Sequence, residues 1–320
     1  MPDMIKILAI DGGGIRGIIP AMILAEIEKR TKKPIAEMFD LIAGTSTGGI
    51  LALGLTKPNS QGKPEYSAEK LIGLYEKEGE IIFSRSVWHR LRAVGNIMEE
   101  KYPSAGIEKV LDKYFGQARL KDALTEVIIT GYEIERRFPW FFKSSKAKIN
   151  SDNDFFMKQV ARATSAAPTY FEPAKLDTPG AKEYYALIDG GVFANNPAMC
   201  AYVEAKTTFK GARDFLVVSL GTGVLTRPLA YEEAKGWGLA NWAQPLLSVI
   251  FDGVNDSVEY QLKQLLPEER YYRFQIRLDE GNDDMDDASR TNLRVLKLLA
   301  EHIIRDNQKE LASLCQLLVK

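Results

Sequence analysis

Phe39-Asp40-Leu41-Ile42-Ala43-Gly44-Thr45-Ser46-Thr47-Gly48-Gly49 ends a short apolar run abruptly in Gly-x-Ser-x-Gly, and Gly49-Ile50-Leu51-Ala52-Leu53-Gly54-Leu55 continues it as a small-residue, helix-compatible segment. The order is strand, sharp turn, buried helix. A serine at the strained tip of such a turn needs neighbours whose only side chain is hydrogen. Gly44 and Gly48 fill those places. A plain Gly/Ser turn between two core elements has the same local sequence, so a nucleophilic Ser46 must be supported from elsewhere in the chain.

Upstream, Lys6-Ile7-Leu8-Ala9-Ile10 is a short apolar run without strict alternation, as expected of a strand covered on both faces. It breaks into Asp11-Gly12-Gly13-Gly14-Ile15-Arg16-Gly17, and a helix with Ile19, Met22, Ile23 and Ile27 on one face follows. The glycine loop thus joins a strand's carboxyl end to a helix's amino end, where backbone N–H groups are free to meet an anion. Gly12, Gly14 and Gly17 also fit G-x-G-x-x-G, the dinucleotide fingerprint. That fold needs an acid at the tip of the second strand, about 20 residues on. Asp40 stands at the start of the Leu41–Ala43 run, the wrong end, and Ser46 stands at the right one.

Two successive strands therefore bring a donor-rich loop and an elbow serine to the carboxyl edge of a parallel sheet, the place where α/β folds build their sites. The N–H groups of Thr47 and of Gly13 and Gly14 form the expected oxyanion hole. Arg16 either holds the loop, adds positive charge, or pairs with a surface carboxylate.

Downstream, Ser67 can cap a helix bearing Leu71, Ile72 and Tyr75, and Ile107, Val110, Leu111, Tyr114 and Phe115 trace a helical core stripe. Arg136-Arg137-Phe138-Pro139-Trp140-Phe141-Phe142-Lys143 mixes cations with aromatics, yet a turn followed by a strand explains it better than membrane contact does. Ala163-Thr164-Ser165-Ala166-Ala167-Pro168-Thr169-Tyr170-Phe171 is small enough to line a site wall. Ala186-Leu187-Ile188-Asp189-Gly190-Gly191-Val192-Phe193-Ala194-Asn195-Asn196-Pro197 reads as a third strand end tipped by an acid, with Asn196 capping the next helix and Pro197 as its first residue. Phe215–Leu220 repeats the strand into Gly221-Thr222-Gly223, without a serine at the elbow.

A serine hydroxyl needs a neighbouring base, usually histidine. The chain has only two, His89 in a charged segment and His302 within the helical stretch Leu293–Arg305, and neither sits in a strand-tip loop. Asp189 has the right context. A buried carboxylate can be basic enough at neutral pH, provided it reaches Ser46 directly, so a Ser–Asp dyad is the economical reading.

Composition sets the outer limits. At 320 residues, 45% hydrophobic, 27% charged and with net charge −1, the chain has the make-up of a globular protein without a nucleic-acid footprint. Cys200 and Cys315 supply neither a disulfide framework nor a thiolate metal site. No run approaches the roughly 18 apolar residues of a membrane span, so the expectation is a cytoplasmic protein with at most peripheral membrane contact, or delivery by a route the sequence does not encode. The acidic run Asp279–Asp287 lacks EF-hand spacing and reads as a solvated loop, with Ser289 capping the last long helix. Trp237-Gly238-Leu239-Ala240-Asn241-Trp242 and Pro245–Phe251 read either as an amphipathic helix closing the core or as a wall of an acyl channel touching lipid, with Gly236 and Gly238 as hinges.

Asp-Gly-Gly-Gly-Ile-Arg-Gly, Gly-Thr-Ser-Thr-Gly-Gly, Ala-Thr-Ser-Ala-Ala-Pro-Thr-Tyr-Phe and Asp-Gly-Gly-Val-Phe-Ala-Asn-Asn-Pro occur here in the order and spacing of the patatin-like phospholipases, which the chain resembles from about Lys6 to Met285–Ser289. The resemblance implies a three-layer α/β/α sandwich with a mainly parallel sheet. It implies one catalytic domain over 1–320, with the motifs in about 6–223 and a helical part, about 231–320, packed on them. By position it makes Ser46 the nucleophile, Asp189 the acid/base, and Gly12, Gly13 and Gly14 with Arg16 the oxyanion loop beside Thr47. Gly17, Gly44, Gly48, Gly190 and Gly191 become motif glycines. It further implies calcium-independent acyl hydrolysis of phospholipids and related lipids at a membrane surface, with no metal, cofactor or nucleic acid. An esterase acting on small soluble esters is the nearer alternative. A catalytically silent or regulated member acting mainly as a lipid-binding or signalling module is another, and a third is a regulated lipid-degrading effector in bacterial defence or signalling, as some bacterial relatives are switched on by nucleotide second messengers.

Overall fold

The computed structural model describes residues 4–83, 102–178, 180, 183–224, 228–278 and 284–320. Strand β1 (Met4–Ile10) lies between β2 (Leu41–Gly44) and β7 (Asp214–Leu220), parallel to both. Its side chains alternate between two cores, as the period of a strand requires. Leu8 and Ile10 face one cluster with helices α1 (Ile18–Thr31), α2 (Thr47–Thr56), α3 (Ala68–Ile82), α4 (Ser104–Phe115) and α5 (Met157–Thr164). Ile5, Ile7 and Ala9 face a second with α6 (Ala198–Thr208) and Leu262 of the long helix α7 (Leu239–Leu265). Burial on both faces explains why β1 reads as a continuous apolar run, and it makes the fold three-layered.

Five further strands, β3 (Glu126–Glu133), β4 (Phe138–Lys143), β5 (Ala174–Asp177), β6 (Tyr184–Asp189) and β8 (Tyr271–Phe274), complete a sheet of eight among the described residues, in the order β5-β6-β3-β2-β1-β7-β8 with β4 paired to β3. Neighbours from β3 to β8 in that order are parallel, whereas β4, β5 and β6 pair antiparallel. The sheet is therefore mixed. The aromatic–cationic stretch is the expected strand. Trp140 of β4 packs on Tyr185 with ring centroids 4.2 Å apart, and Arg136 pairs with Glu183 at 3.2 Å.

The direction of β6 was not legible in the sequence. Gly44 lies opposite Ile129, so β3 runs on past the end of β2 by two residues to reach Gly131, level with Ser46. Asp189 lies opposite Gly131, and β6 comes back toward the edge from outside it. The acid thus reaches the carboxyl edge of the parallel strands on an antiparallel one. No parallel crossover would have ended there without a further helix.

After α7 the chain supplies β8, a strand the sequence analysis does not anticipate, then helices α8 (Arg290–Asp306) and α9 (Gln308–Val319), which pack on α1. Ser67 and Ser289 cap α3 and α8 through their hydroxyls, as expected. No described helix is long and apolar enough to cross a membrane.

Beneath the glycine loop, β8 contributes Arg273, whose guanidinium donates to the Asp11 carboxylate at 2.7 Å and to the Ser219 hydroxyl at 2.8 Å. Both charges are buried, and burial raises the Asp11 pKa despite its cation. Removing one member of a buried pair leaves an uncompensated charge and costs about 3–5 kcal/mol. Arg273→Met should lower the unfolding free energy by about that amount in denaturant titration at pH 7, and adding Asp11→Asn should restore part of it. An unchanged unfolding midpoint in the single variant would refute this role for the pair.

Candidate active site

Ser46 sits between β2 and α2 with φ 55° and ψ −124°, a backbone conformation that a residue with a Cβ adopts only under constraint. The constraint is close packing. A Cβ on Gly44 would lie 2.2 Å from the Gly48 carbonyl oxygen, and one on Gly48 would lie 2.1 Å from that of Ile10. Three threonines hold the turn. The Thr164 hydroxyl accepts the Ser46 N–H at 2.9 Å, while the Thr45 hydroxyl donates to the Ala194 carbonyl and accepts from Thr130. The Thr47 hydroxyl meets the buried Tyr75 hydroxyl at 2.6 Å, and Gly17 leaves space for that contact.

Asp189 is 4% exposed. Its carboxylate accepts the Gly191 N–H at 2.7 Å. Burial pushes its pKa up from 3.8 to about 7, against the downward pull of the nearby Ser46 hydroxyl and of the Gly191 N–H. Ser46 and Asp189 thus share one cavity wall, close enough for the hydroxyl to act on the carboxyl.

The glycine loop is divided in its roles. The Gly12 N–H donates to the Asn195 carbonyl at 3.0 Å, so it is not a free donor, which corrects its place in the expected oxyanion hole. Gly12 is needed for closeness, since a Cβ there would lie 2.5 Å from Asn195 Oδ1. Gly13 and Gly14 line a cavity together with Ser46, Thr47 and Asp189. As the first residue of α2, Thr47 has a backbone N–H without an intrahelical acceptor. Arg16 is buried and turns its Nε to the Gly13 carbonyl at 3.4 Å, which fits loop holding rather than a donor at the cavity wall.

Several positioning residues escape sequence reasoning. Asn195 closes on Gly12 through its carbonyl and on Asn255 of α7 through its amide at 3.3 Å. The Thr222 hydroxyl holds the Gly12 carbonyl at 2.6 Å. Met285 accepts the Ile15 N–H at 2.8 Å, and the Tyr102 hydroxyl donates to Asp286 at 2.6 Å. Residues 284–287 thus strap the glycine loop instead of forming a solvated loop, because a turn N–H inside the fold requires an acceptor. Asp279 to Asp283 lie outside the described residues. The signal for Thr222 was its place immediately after the strand-tip Gly221, and that for Asn195 was its place in the segment that follows Gly190 and Gly191. Nothing local marked Met285.

His302 is exposed on α8 and does not line the cavity, and His89 lies outside the described residues. Asn196 caps α6 through Ala198 as expected, although the helix itself begins at Ala198. Among the described residues, no group of three or more His, Cys, Asp or Glu side chains converges as for a metal ion.

The cavity measures about 620 Å³ and extends from Ser46 along Ile15, Ile50, Leu74, Ile82 and Ile107. Ser165 and Phe171 line it, as the small-residue stretch suggested. Pro245, Ser248 and Phe251 of α7 close another side. Trp237 and Trp242 instead pack edge to face on each other at 5.2 Å, and neither lines the cavity.

Comparison with known proteins adds a family. The sequence pattern described as Patatin-like phospholipase matches residues 8–202. Patatin-like protein 4 of Arabidopsis thaliana is 32% identical over 338 residues, covering 95% of this chain and 84% of that protein. Patatin-like protein 2 of the same plant is 33% identical over 340 residues, covering 95% and 83%. Probable inactive patatin-3-Kuras 1 of Solanum tuberosum is 31% identical over 339 residues, covering 96% and 88%. Relatives of nearly equal identity carry names that differ on activity, so the chemistry must be argued from the site.

Asp189 makes a stability prediction. Between about pH 4 and 7 the folded state holds a proton that the unfolded chain has released, so its contribution to stability falls as pH rises through that window. Asp189→Asn retains the shape without the charge. Its melting temperature should exceed the parent's by about 5 °C at pH 8, with the gap closing toward pH 4. Equal melting temperatures at pH 8 would contradict a carboxylate buried at energetic cost.

Proposed function

The chain belongs to the patatin-like phospholipase family, and from that premise we propose that it is a serine acyl hydrolase that cleaves fatty-acyl esters of phospholipids and related glycerolipids through Ser46 and Asp189. One observation carries the reading: a buried carboxyl whose pKa burial pushes up to about 7 stands on the same cavity wall as the hydroxyl of a serine held at positive φ. A carboxylate at its ordinary pKa would be too weak a base, and raising that pKa toward the working pH is how general-base catalysis becomes efficient.

The Asp189 carboxylate takes the hydroxyl proton as Ser46 Oγ attacks the ester carbonyl carbon. The oxyanion is met by the backbone N–H groups of Gly13, Gly14 and Thr47. As the tetrahedral intermediate collapses, protonated Asp189 returns the proton to the departing alkoxide, and the acyl group remains on Ser46. A water then enters and gives its proton to Asp189 as its oxygen bonds to the acyl carbon; collapse breaks the bond to Ser46 Oγ, Asp189 returns the proton to that oxygen, and the fatty acid leaves. Backbone donors polarise the carbonyl throughout, so the reaction calls for no calcium.

The apolar cavity supports a long acyl chain over a small soluble ester, since Ile15, Ile50, Leu74, Ile82 and Ile107 offer no polar partner beyond the reacting end. The juxtaposition of Ser46 and Asp189 in one cavity supports an active enzyme over a silent lipid-binding module. The substrate partner in this reading is lipid presented at a membrane surface.

Ser46→Ala and Asp189→Asn should each lower kcat on a chromogenic ester by about 10³ or more with the fold intact. His302→Ala and His89→Ala should stay near the parent, and loss of activity in folded His89→Ala would replace the dyad with a triad. The kcat/KM profile should rise with pH and level off above about 7, because only ionised Asp189 accepts the proton. Excess chelator should leave turnover of a monomeric ester unchanged, and a large loss restored by calcium would count against backbone polarisation.

A further inference from the structure

Helix α7 has two apolar faces, and the cavity occupies only one. Pro245, Ser248 and Phe251 line the cavity, and a turn further on Asn255 meets Asn195, so this row of positions points inward. At about 100° per residue, Leu246, Val249 and Ile250 lie on the opposite side, about 160° round the helix from that row. They are 47%, 45% and 36% exposed. A core-closing helix would have buried them. Leu229 is 40% exposed and also lines the cavity, so apolar surface continues from the cavity's mouth to the outside.

We propose that Leu246, Val249 and Ile250 form a face that enters the boundary between headgroups and acyl chains of a lipid bilayer, setting the cavity mouth against the lipid. The inference rests on the lipid-hydrolase reading and names its docking surface. The bilayer is the occupant because a long-chain lipid has to pass from membrane to cavity without exposing its chain to water. A helix that is cavity wall on one side and bilayer contact on the other provides that passage. Charge makes the idea specific. Residues 236–251 contain no charged side chain, and the preceding Lys235 is paired with Glu232. Binding is therefore hydrophobic, and it needs neither anionic lipid nor low salt.

The test is flotation of Ser46→Ala protein, which cannot consume its target, with neutral phosphatidylcholine vesicles. Parent-like binding should change less than about twofold with added salt or phosphatidylserine. Adding Leu246→Gln, Val249→Gln and Ile250→Gln together should weaken it by about tenfold or more. In the Ser46 protein the same triple change should lower turnover of vesicle phospholipid by a similar factor, leaving monomeric ester turnover and melting temperature as they were. Single Val249→Gln and Ile250→Gln variants, each retaining two of the three side chains, should show graded losses and guard against a folding defect.

Unchanged vesicle binding in the triple variant would overturn the proposal. So would binding abolished by salt, which would point to cations such as Arg136 and Arg137. A parent that is dimeric where the triple variant is monomeric would show that a second copy covers the face. Failure of the Ser46 protein to cleave any ester would refute the hydrolase reading, while flotation would still report separately on α7.

Discussion

A carboxylate can take a proton from a serine without an imidazole only if the two side chains come within reach, and the sheet brings Ser46 and Asp189 to one cavity wall. Ser46 rises from the end of β2 at a turn that carries backbone strain of about 1–3 kcal/mol. Asp189 descends from the far side on β6, and the pairing of Gly131 with Asp189 stops it at the level of the serine. A shift of β6 by one residue would turn every side chain on it to the opposite face. The approach of hydroxyl to carboxyl is therefore a property of strand register before it is a property of either side chain.

Holding the two side chains at that separation requires the surroundings to be stiff. Thr164, Thr45 and Thr130 fix the serine turn, Asn195 and Thr222 fix Gly12, and the strap at Met285 fixes Ile15. Each partner is a backbone group or a short hydroxyl, so little rotamer freedom is lost on ordering it. Below them the Asp11–Arg273 pair ties the start of the glycine loop to β8, with Glu259 of α7 3.8 Å from the same guanidinium. A single buried cation thus joins the loop under the reacting centre to the helix that closes the cavity. Burial works in two directions here. It raises the basicity of Asp189, and by the same desolvation it makes the ionised site less stable than a neutral one would be.

The cavity gives these groups their context. Its apolar wall comes from helices on one face of the sheet, and α7 completes it from a part of the chain distant in sequence. The tryptophans that drew attention in the sequence pack against each other, whereas less conspicuous Pro245, Ser248 and Phe251 form the wall. Bulk in a sequence signals burial, but it does not say against what.

From the residues alone, the strand–elbow–helix unit at Ser46, the strand–glycine loop–helix unit before it and the acid of Asp189 were all legible. Each is a local pattern in which glycine removes a clash or an apolar run ends in a turn. The absence of a suitably placed histidine pointed to direct contact between serine and aspartate for the same reason, since chemistry limits which groups can serve. Tertiary structure decided the rest. It turned β6 antiparallel, committed the Gly12 N–H to Asn195, drew part of the acidic run onto the glycine loop, and added β8 with Arg273. Those outcomes depend on which distant segment supplies the acceptor, charge or neighbouring strand that a buried group requires. Local sequence states that requirement, and only the assembled fold shows which residue meets it.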